Sequence, residues 1–396
     1  MQKQRIVIWG SGRFGELAYY YYKNECDILF FTDSNSSRWD KELCNILIMS
    51  PDNLRKINDV RVVLAFESGK DKVKKTLNET YGIFDIVEFQ VHEDNTVNSL
   101  ENENIDENSI IMKFTGGLGN QLFQFALLYY FCHIGIKTII DTSYYNNSGV
   151  MKFSLLDAFE IPPRVVTDAS EAINSVIVKL ISSNESLNYT IYREKTIYEN
   201  SVKSADKALL NIKAGYLKGT FQSYYFVEQC KEALLKDLKY RPLPKELSDR
   251  IKYYKNNYNL ISMHIRRGDY LTERNKRIYG NICTEKYYNN AIEFIEKHVD
   301  NALFLIFSDD IQYAKDTYVG DKFIYMDKEN TEAYKDWYDM CLMSQCKHNI
   351  IANSTFSWWG AMLNRGDDKI VIAPDRWVND CKYLDIYPEE WVIIEG

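Results

Sequence analysis

The sequence predicts an α/β protein built from parallel sheets with helices packed on them. Short apolar runs alternate with longer stretches of helical spacing, which is the pattern of strand–helix–strand units. Several apolar runs end in glycine-rich or polar turns, as strands do where a sheet presents its ligand edge. A polar, acidic segment at 92–108 separates a first series of such units from the rest.

The first series predicts a small Rossmann-like accessory domain over 1–91, followed by a linker at 92–108. Its strands are "RIVIW" (5–9), "DILFFTD" (27–33) and "VRVVLAF" (60–66), and a helical "ELAYYYYKNE" follows the first of them.

A second series starts at 109 with "SIIMKF", a glycine-rich turn, a helix and the strand "KTIID". The stretch 151–240 is predicted to be mostly helical. A third series follows from 259, with the strands "LISMHI", "ALFLIFS", "KFIYM", "HNIIANS" and "KIVIAP". We therefore expect two further halves, 109–250 and 251–396.

Composition excludes some classes of protein. The net charge of −8 and the pI of about 5.4 argue against a nucleic-acid binder, which usually carries a basic field. No segment reaches the roughly 18–20 apolar residues of a membrane span. The 8 cysteines are scattered and form no CxxC pair. This usage predicts reduced thiols in a cytoplasmic protein, without a zinc site.

The loop "GSGRFG" matches GxGxxG between a strand and a helix. Gly10, Gly12 and Gly15 would bring helix N–H groups to a diphosphate, and Asp33 at the end of the next strand would bind a ribose. The same glycines also suit a turn that needs close helix–strand packing. The sequence leaves both interpretations open, and the first would make the chain an NAD(P)- or sugar-nucleotide-binding protein.

The second glycine loop, "GGLGNQLFQFA", begins the helix of the second series. Gly117 and Gly119 allow close backbone approach, while Asn120 and Gln121 place amides at the helix start. Asn120 could cap the helix, or both amides could form the polar wall of a sugar or phosphate pocket.

The stretch "HIRRGDY" follows a buried strand. Alternation along a strand puts His264 and Arg266 on one face and Arg267 on the other. Arg266 is the better candidate for a pyrophosphate contact, because a planar guanidinium grips phosphate oxygens in pairs. Arg267 is expected to pair with Asp269 or another carboxylate. Asp269 could act as a base, orient an arginine or serve as a simple turn residue.

Two further strands end in polar residues. "IFSDD" supplies Ser308, Asp309 and Asp310, of which one could accept from guanine or ribose and the other could cap the next helix. The acids are adjacent, so they do not form a DxD metal motif. "ANSTFSWWGA" supplies short hydrogen-bonding groups before a helix, a suitable phosphate cradle: Asn353, Ser354, Thr355 and Ser357.

Taken together, the last four of these motifs, from "GGLGNQLFQFA" to "ANSTFSWWGA", resemble the bacterial α-1,2-fucosyltransferases of glycosyltransferase family 11. The resemblance covers about residues 109–396, while 1–108 lies outside the usual family pattern. It implies a GT-B-like fold of two Rossmann-like halves, preceded here by the small N-terminal domain. It also implies inverting transfer of L-fucose from GDP-β-L-fucose to the 2-hydroxyl of a galactose in a surface glycan.

The resemblance further implies site residues and partners. Arg266, His264 and Asp269 are the expected catalytic residues. The expected donor-binding residues are Gly117, Gly119, Asn120, Gln121, Arg266, Arg267, Ser308, Asp309, Asp310, Asn353, Ser354, Thr355, Phe356 and Ser357. No metal or other cofactor is expected, and the partners are GDP-fucose and a galactose-containing glycan. A peripheral association with the inner face of the cytoplasmic membrane, through a lipid-linked acceptor, is compatible with these partners.

Overall fold

The computed structural model describes residues 3–23, 26–66, 69–89, 97–98, 109–142, 144–145, 152–161, 187–189, 191–194, 202–327 and 334–396. The chain forms two compact units, Met1–Glu107 with Ala169–Ile191 and Asn108–Asp168 with Tyr192–Gly396. Of the predicted linker 92–108, Val97 and Asn98 are described and the other residues lie outside the described part.

The first unit contains a six-stranded sheet in the order β3-β4-β2-β1-β5-β6. All neighbouring strands are parallel except β3 and β4. Its strands are β1 (Gln4–Trp9), β2 (Cys26–Thr32), β3 (Glu42–Leu43), β4 (Ile46–Met49), β5 (Arg61–Leu64) and β6 (Ile86–Glu88). Its helices are α1 (Arg13–Tyr22) and α2 (Lys70–Thr76), and β7 (Val97–Asn98) pairs with β11 (Leu187–Tyr189).

The second unit starts with a four-stranded sheet in the order β12-β14-β8-β9. These strands are β8 (Ser109–Lys113), β9 (Lys137–Asp141), β12 (Ile191–Arg193) and β14 (Gly215–Lys218). Helix α3 (Leu118–His133) packs on them and is buried on nearly all sides. The shorter elements here are β10 (Phe159–Glu160), β13 (Val202–Lys203), β15 (Lys239–Tyr240), α4 (Leu155–Ala158), α5 (Tyr224–Glu228), α6 (Lys231–Asp237) and α7 (Lys245–Asn257).

The other sheet of the second unit is fully parallel, in the order β18-β17-β16-β19-β20-β22. Its strands are β16 (Asn259–Ile265), β17 (Ala302–Ser308), β18 (Phe323–Tyr325), β19 (His348–Ile350), β20 (Val371–Pro374) and β22 (Val392–Ile394). Helices α8 (Glu273–Tyr279), α9 (Glu285–His298), α10 (Ile311–Thr317), α11 (Trp337–Gln345) and α12 (Thr355–Met362) connect them, and β21 (Lys382–Tyr383) pairs with β13. The strand order reverses between β16 and β19, which is where open α/β sheets bind ligands.

The predicted α/β architecture with parallel sheets is confirmed, and the predicted apolar strands are all present. The prediction that 151–240 is mostly helical was wrong for the described residues. That stretch contains β14, a four-residue strand buried in the first sheet of the second unit. So short an apolar run has too little periodicity to distinguish a buried strand from a helical turn.

The core of the second unit joins its two sheets. The ring of Phe123 on α3 lies 4.5 Å from that of Trp358 and 5.4 Å from that of Trp359, both on α12. Both tryptophan side chains are fully buried, so they pack against α3 and are not exposed at the surface. Within the described ranges, no helix has the length and apolar character needed to span a bilayer.

Candidate active site

A cleft of about 1110 Å³ opens in the second unit, at the carboxyl ends of strands from both of its sheets. Residues that follow β8, β14, β16, β17 and β19 line it. Twelve of the predicted site residues lie in its wall: Gly117, Gly119, Asn120, His264, Arg266, Asp269, Ser308, Asp309, Asn353, Ser354, Thr355 and Phe356. Four others, Gln121, Arg267, Asp310 and Ser357, do not.

Two helix N-termini converge on this cleft. Helix α3 begins after Gly117, whose position offers no side chain to cap the first turn. Helix α12 begins after Ser354, whose hydroxyl accepts from the N–H of Phe356. Because the first turn of a helix carries free N–H groups and partial positive charge, the two helices together favour a bound anion.

Arg266 projects into the cleft between two carboxylates. Its Nη2 lies 2.7 Å from Oδ1 of Asp269, and its Nη1 lies 2.9 Å from Oδ2 of Asp309. The guanidinium also lies over the ring of Tyr270, at 5.6 Å from the centroid. Burial raises the pKa of Tyr270 far above its usual range, so this side chain stays neutral and donates to the carbonyl of Asn353.

Arg267 points to the other side of the turn. Its Nε lies 3.0 Å from Oδ2 of Asp310, and its guanidinium stacks on Tyr313 at 3.5 Å from the ring centroid. Asp310 also caps α10 by accepting from the N–H of Tyr313. The two arginines therefore point to opposite sides, as the strand alternation predicts. The carboxylate partner of Arg267 is Asp310, whereas Asp269 pairs with Arg266.

The two amides of the Gly-Asn-Gln motif have different surroundings. Gln121 is fully buried, donates to the carbonyls of Gly116 and Lys152, and accepts from the N–H groups of Ser154 and Leu155. It holds the loop ahead of α4 and does not reach the cleft. Asn120 lies inside the first turn of α3, so it does not cap the helix, and its Oδ1 accepts from Gln222 at 2.9 Å.

The loop after β19 is fixed by hydrogen bonds between its side chains and neighbouring backbone groups. Asn353 donates to the carbonyls of Tyr279 and Trp377. Ser357 accepts from the N–H of Ala352, which orients the turn that leads into α12. Asn353 therefore supports the cleft wall through its amide, while Ser354 and the first turn of α12 face the cleft.

Comparisons with known proteins identify the family of the chain. The sequence model of glycosyl transferase family 11 matches residues 108–395. The chain belongs to glycosyltransferase family 11. It is 30% identical to the O-antigen biosynthesis glycosyltransferase WbnK of Escherichia coli, over 70% of this chain and 98% of that protein. It is 32% identical to an Escherichia coli alpha-1,2-colitosyltransferase, over 72% and 99% of the two chains. It is also 28% identical to galactoside alpha-(1,2)-fucosyltransferase 1 of Saimiri boliviensis boliviensis, over 34% and 38%.

This family 11 glycosyltransferase has cleft residues that the sequence analysis missed. Glu194 is held by the N–H groups of Thr220 and Phe221, and it pairs with Lys203 at 2.9 Å. Gln222 accepts from the indole N–H of Trp377 at 3.0 Å. Gln222 follows β14 in "GTFQS", so recognising β14 as a strand would have marked the loop after it as part of the ligand edge.

The glycine loop of the first unit lies outside the family match, and two of its three glycines, Gly10 and Gly15, lie where a side chain would overlap the backbone. A Cβ at Gly15 would lie 1.9 Å from the carbonyl oxygen of Gly10, and Gly10 itself has a φ of +115°. Asp33 accepts from the N–H and hydroxyl of Ser11 and from the N–H of Asn35. Burial opposes ionisation, but these hydrogen bonds prevail and lower the pKa of Asp33. The role of this loop in nucleotide binding stays a prediction.

Proposed function

We propose that this glycosyltransferase moves L-fucose from GDP-β-L-fucose to the 2-hydroxyl of a galactose residue in a glycan, with inversion at the anomeric carbon. The observation that carries the proposal is the convergence of Arg266 and the N-termini of α3 and α12 on one cleft. A glycan attached to a lipid would bring the protein to a membrane surface as a peripheral partner.

The donor half of the proposal follows from charge. A nucleotide diphosphate carries negative charge that increases on the leaving oxygen as the glycosidic bond breaks. A guanidinium and two helix N-termini are oriented before the reaction, so they stabilise that charge without reorganising. The four motifs that resemble α-1,2-fucosyltransferases support GDP as the nucleotide.

The acceptor half is supported by the names of two relatives. One transfers colitose and one transfers fucose, and both names specify a 1,2 linkage. The second name also specifies a galactoside. In the proposed reaction the acceptor oxygen bonds to the anomeric carbon as the bond to the diphosphate breaks, and the electron pair leaves with GDP.

The test measures GDP release from GDP-fucose with a panel of galactosides, with and without EDTA. We expect release that depends on a β-galactoside and that EDTA leaves unchanged. Arg266→Ala should lower kcat/KM at least 100-fold, about 2.7 kcal/mol, because each charge-assisted hydrogen bond contributes about 1.5–3 kcal/mol. Arg277→Ala is the matched control, since that arginine is 83% exposed and pairs with Asp380 outside the cleft.

Two results would contradict the proposal. Full activity of Arg266→Ala would remove the diphosphate clamp. Release of GDP from GDP-colitose but not from GDP-fucose would keep the clamp and the linkage but replace the donor sugar.

A further inference from the structure

Arg266 is already engaged by protein carboxylates at the positions where a diphosphate would bind. Asp269 and Asp309 each pair with one terminal nitrogen of its guanidinium, at 2.7 and 2.9 Å. Nη1 and Nη2 are one of the nitrogen pairs through which a planar guanidinium binds paired phosphate oxygens. A donor diphosphate that approaches these two nitrogens competes with the carboxylates already bound there.

Asp309 is fixed in place. Its Oδ1 accepts from the backbone N–H of Arg267 at 2.8 Å, and its side chain is 22% exposed. The missing side chain of Gly268 makes room for it, because a Cβ there would lie 2.5 Å from Oδ2 of Asp309. Asp309 thus connects the end of β17 to the turn after β16 and orients Arg266.

Asp269 is held more weakly. It lies on the turn Gly268–Leu271, three residues from Arg266, and its side chain is 52% exposed to the cleft. Ion pairs with this much exposure are weak, because water competes for both charges. A diphosphate carries more negative charge than one carboxylate and adds contacts to two helix N-termini.

We infer that Asp269 is an exchangeable partner of Arg266, which the donor diphosphate displaces and which then accepts the proton of the attacking hydroxyl. This inference rests on the proposed function. As the acceptor oxygen bonds to the anomeric carbon, the bond to the diphosphate oxygen breaks, its electron pair leaves with GDP, and the hydroxyl proton passes to Asp269. The donor therefore binds first, since the carboxylate is released only when the diphosphate takes its place.

The test measures GDP affinity by titration calorimetry on the full chain, without acceptor. Asp269→Asn should bind GDP about 3- to 10-fold more tightly than the wild type, because the competing charge is gone. Asp309→Asn should bind GDP more weakly, because Arg266 loses the carboxylate that orients it. The two variants remove the same charge from the same arginine, so simple electrostatic repulsion predicts tighter binding by both.

Asp316→Asn is the control for general charge, since Asp316 is exposed on α10, accepts from Gln312 and does not line the cleft. Its GDP affinity should stay within about twofold of the wild type. In steady-state assays at saturating donor, Asp269→Asn should lower kcat at least 100-fold although it binds GDP more tightly.

The outcomes separate the two proposals. A wild-type protein that binds no GDP would overturn the proposed donor. A wild-type protein that binds GDP, with an Asp269→Asn variant that binds it equally or less tightly, would overturn the exchange alone. A kcat close to that of the wild type in this variant would also overturn the inference, because the hydroxyl proton would then have another acceptor.

Discussion

Gly119 lies against the backbone of Thr355. A Cβ built on Gly119 would be 2.5 Å from the carbonyl carbon of Thr355 and 2.6 Å from the nitrogen of Phe356. The first turns of α3 and α12 are therefore in direct contact, although their strands belong to different sheets. This contact brings two helix N-termini to one point in the cleft, which a longer side chain at residue 119 would prevent.

Replacing Gly119 with alanine should separate the two helices. Overpacking of this kind costs about 1–3 kcal/mol, and the displaced N–H groups should bind GDP at least tenfold more weakly. Calorimetric titration with GDP and thermal unfolding measure the two effects. Gly117→Ala is the stability control, since a Cβ there meets nothing within 4 Å. Equal melting temperatures for the two variants would contradict the packing argument.

Gln222 connects residues that follow strands of the two sheets of the second unit. It donates to Asn120 on α3 and accepts from Trp377 after β20, so Gln222→Ala leaves both groups without this partner. Each of these part-buried hydrogen bonds contributes about 0.5–1.5 kcal/mol. We expect a lower urea midpoint. Gln229→Ala should show none of this loss, because Gln229 is exposed and donates to the nearby carbonyl of Tyr225.

Two glycines of the first unit should respond differently to alanine. A Cβ at Gly15 would overlap the carbonyl oxygen of Gly10, whereas the nearest atom to a Cβ at Gly12 is Nη1 of Arg38 at 3.7 Å. Gly15→Ala should therefore destabilise the first unit, while Gly12→Ala should leave its melting transition in place. Differential scanning calorimetry of the full chain distinguishes these results, and equal transitions would show that the close approach does not limit stability.

His348 should make the second unit sensitive to acid. Burial, with the neighbouring charge of Lys347, lowers the pKa of His348 to about 4, and its Nδ1 accepts from the N–H of Ile370. The unfolded chain binds this proton near pH 6.5. The contribution of His348 to the free energy of unfolding is therefore fully present above pH 6.5, and it is lost as the pH falls from 6.5 towards 4.

In the variant His348→Gln, the melting temperature should change less over that pH range than in the wild type. His298→Gln is the control, because His298 is exposed at the end of α9. An unchanged acid slope in His348→Gln would assign the sensitivity to other groups.

Local sequence predicted much of the fold because apolar runs followed by polar turns mark where buried strands end. The strand before "HIRRGDY" and the one before "SDD" were identified in this way, and they are β16 and β17. Strand β14 was not predicted, because "GYLK" is too short to show a period. The loop after β14 was therefore also missed. It carries Gln222 and the two residues whose N–H groups donate to Glu194, Thr220 and Phe221.

The sequence by itself determined the α/β class, the family and the face on which each arginine lies, because these depend on local periodicity and on short motifs. Only the tertiary structure decided which carboxylates pair with which arginine, that Gln121 holds a loop, and that α3 meets α12 at Gly119. These contacts join residues far apart in the chain, from Asn120 to Gln222 and from Gly119 to Thr355. Their distances depend on how the sheets of the second unit pack, which no local pattern encodes.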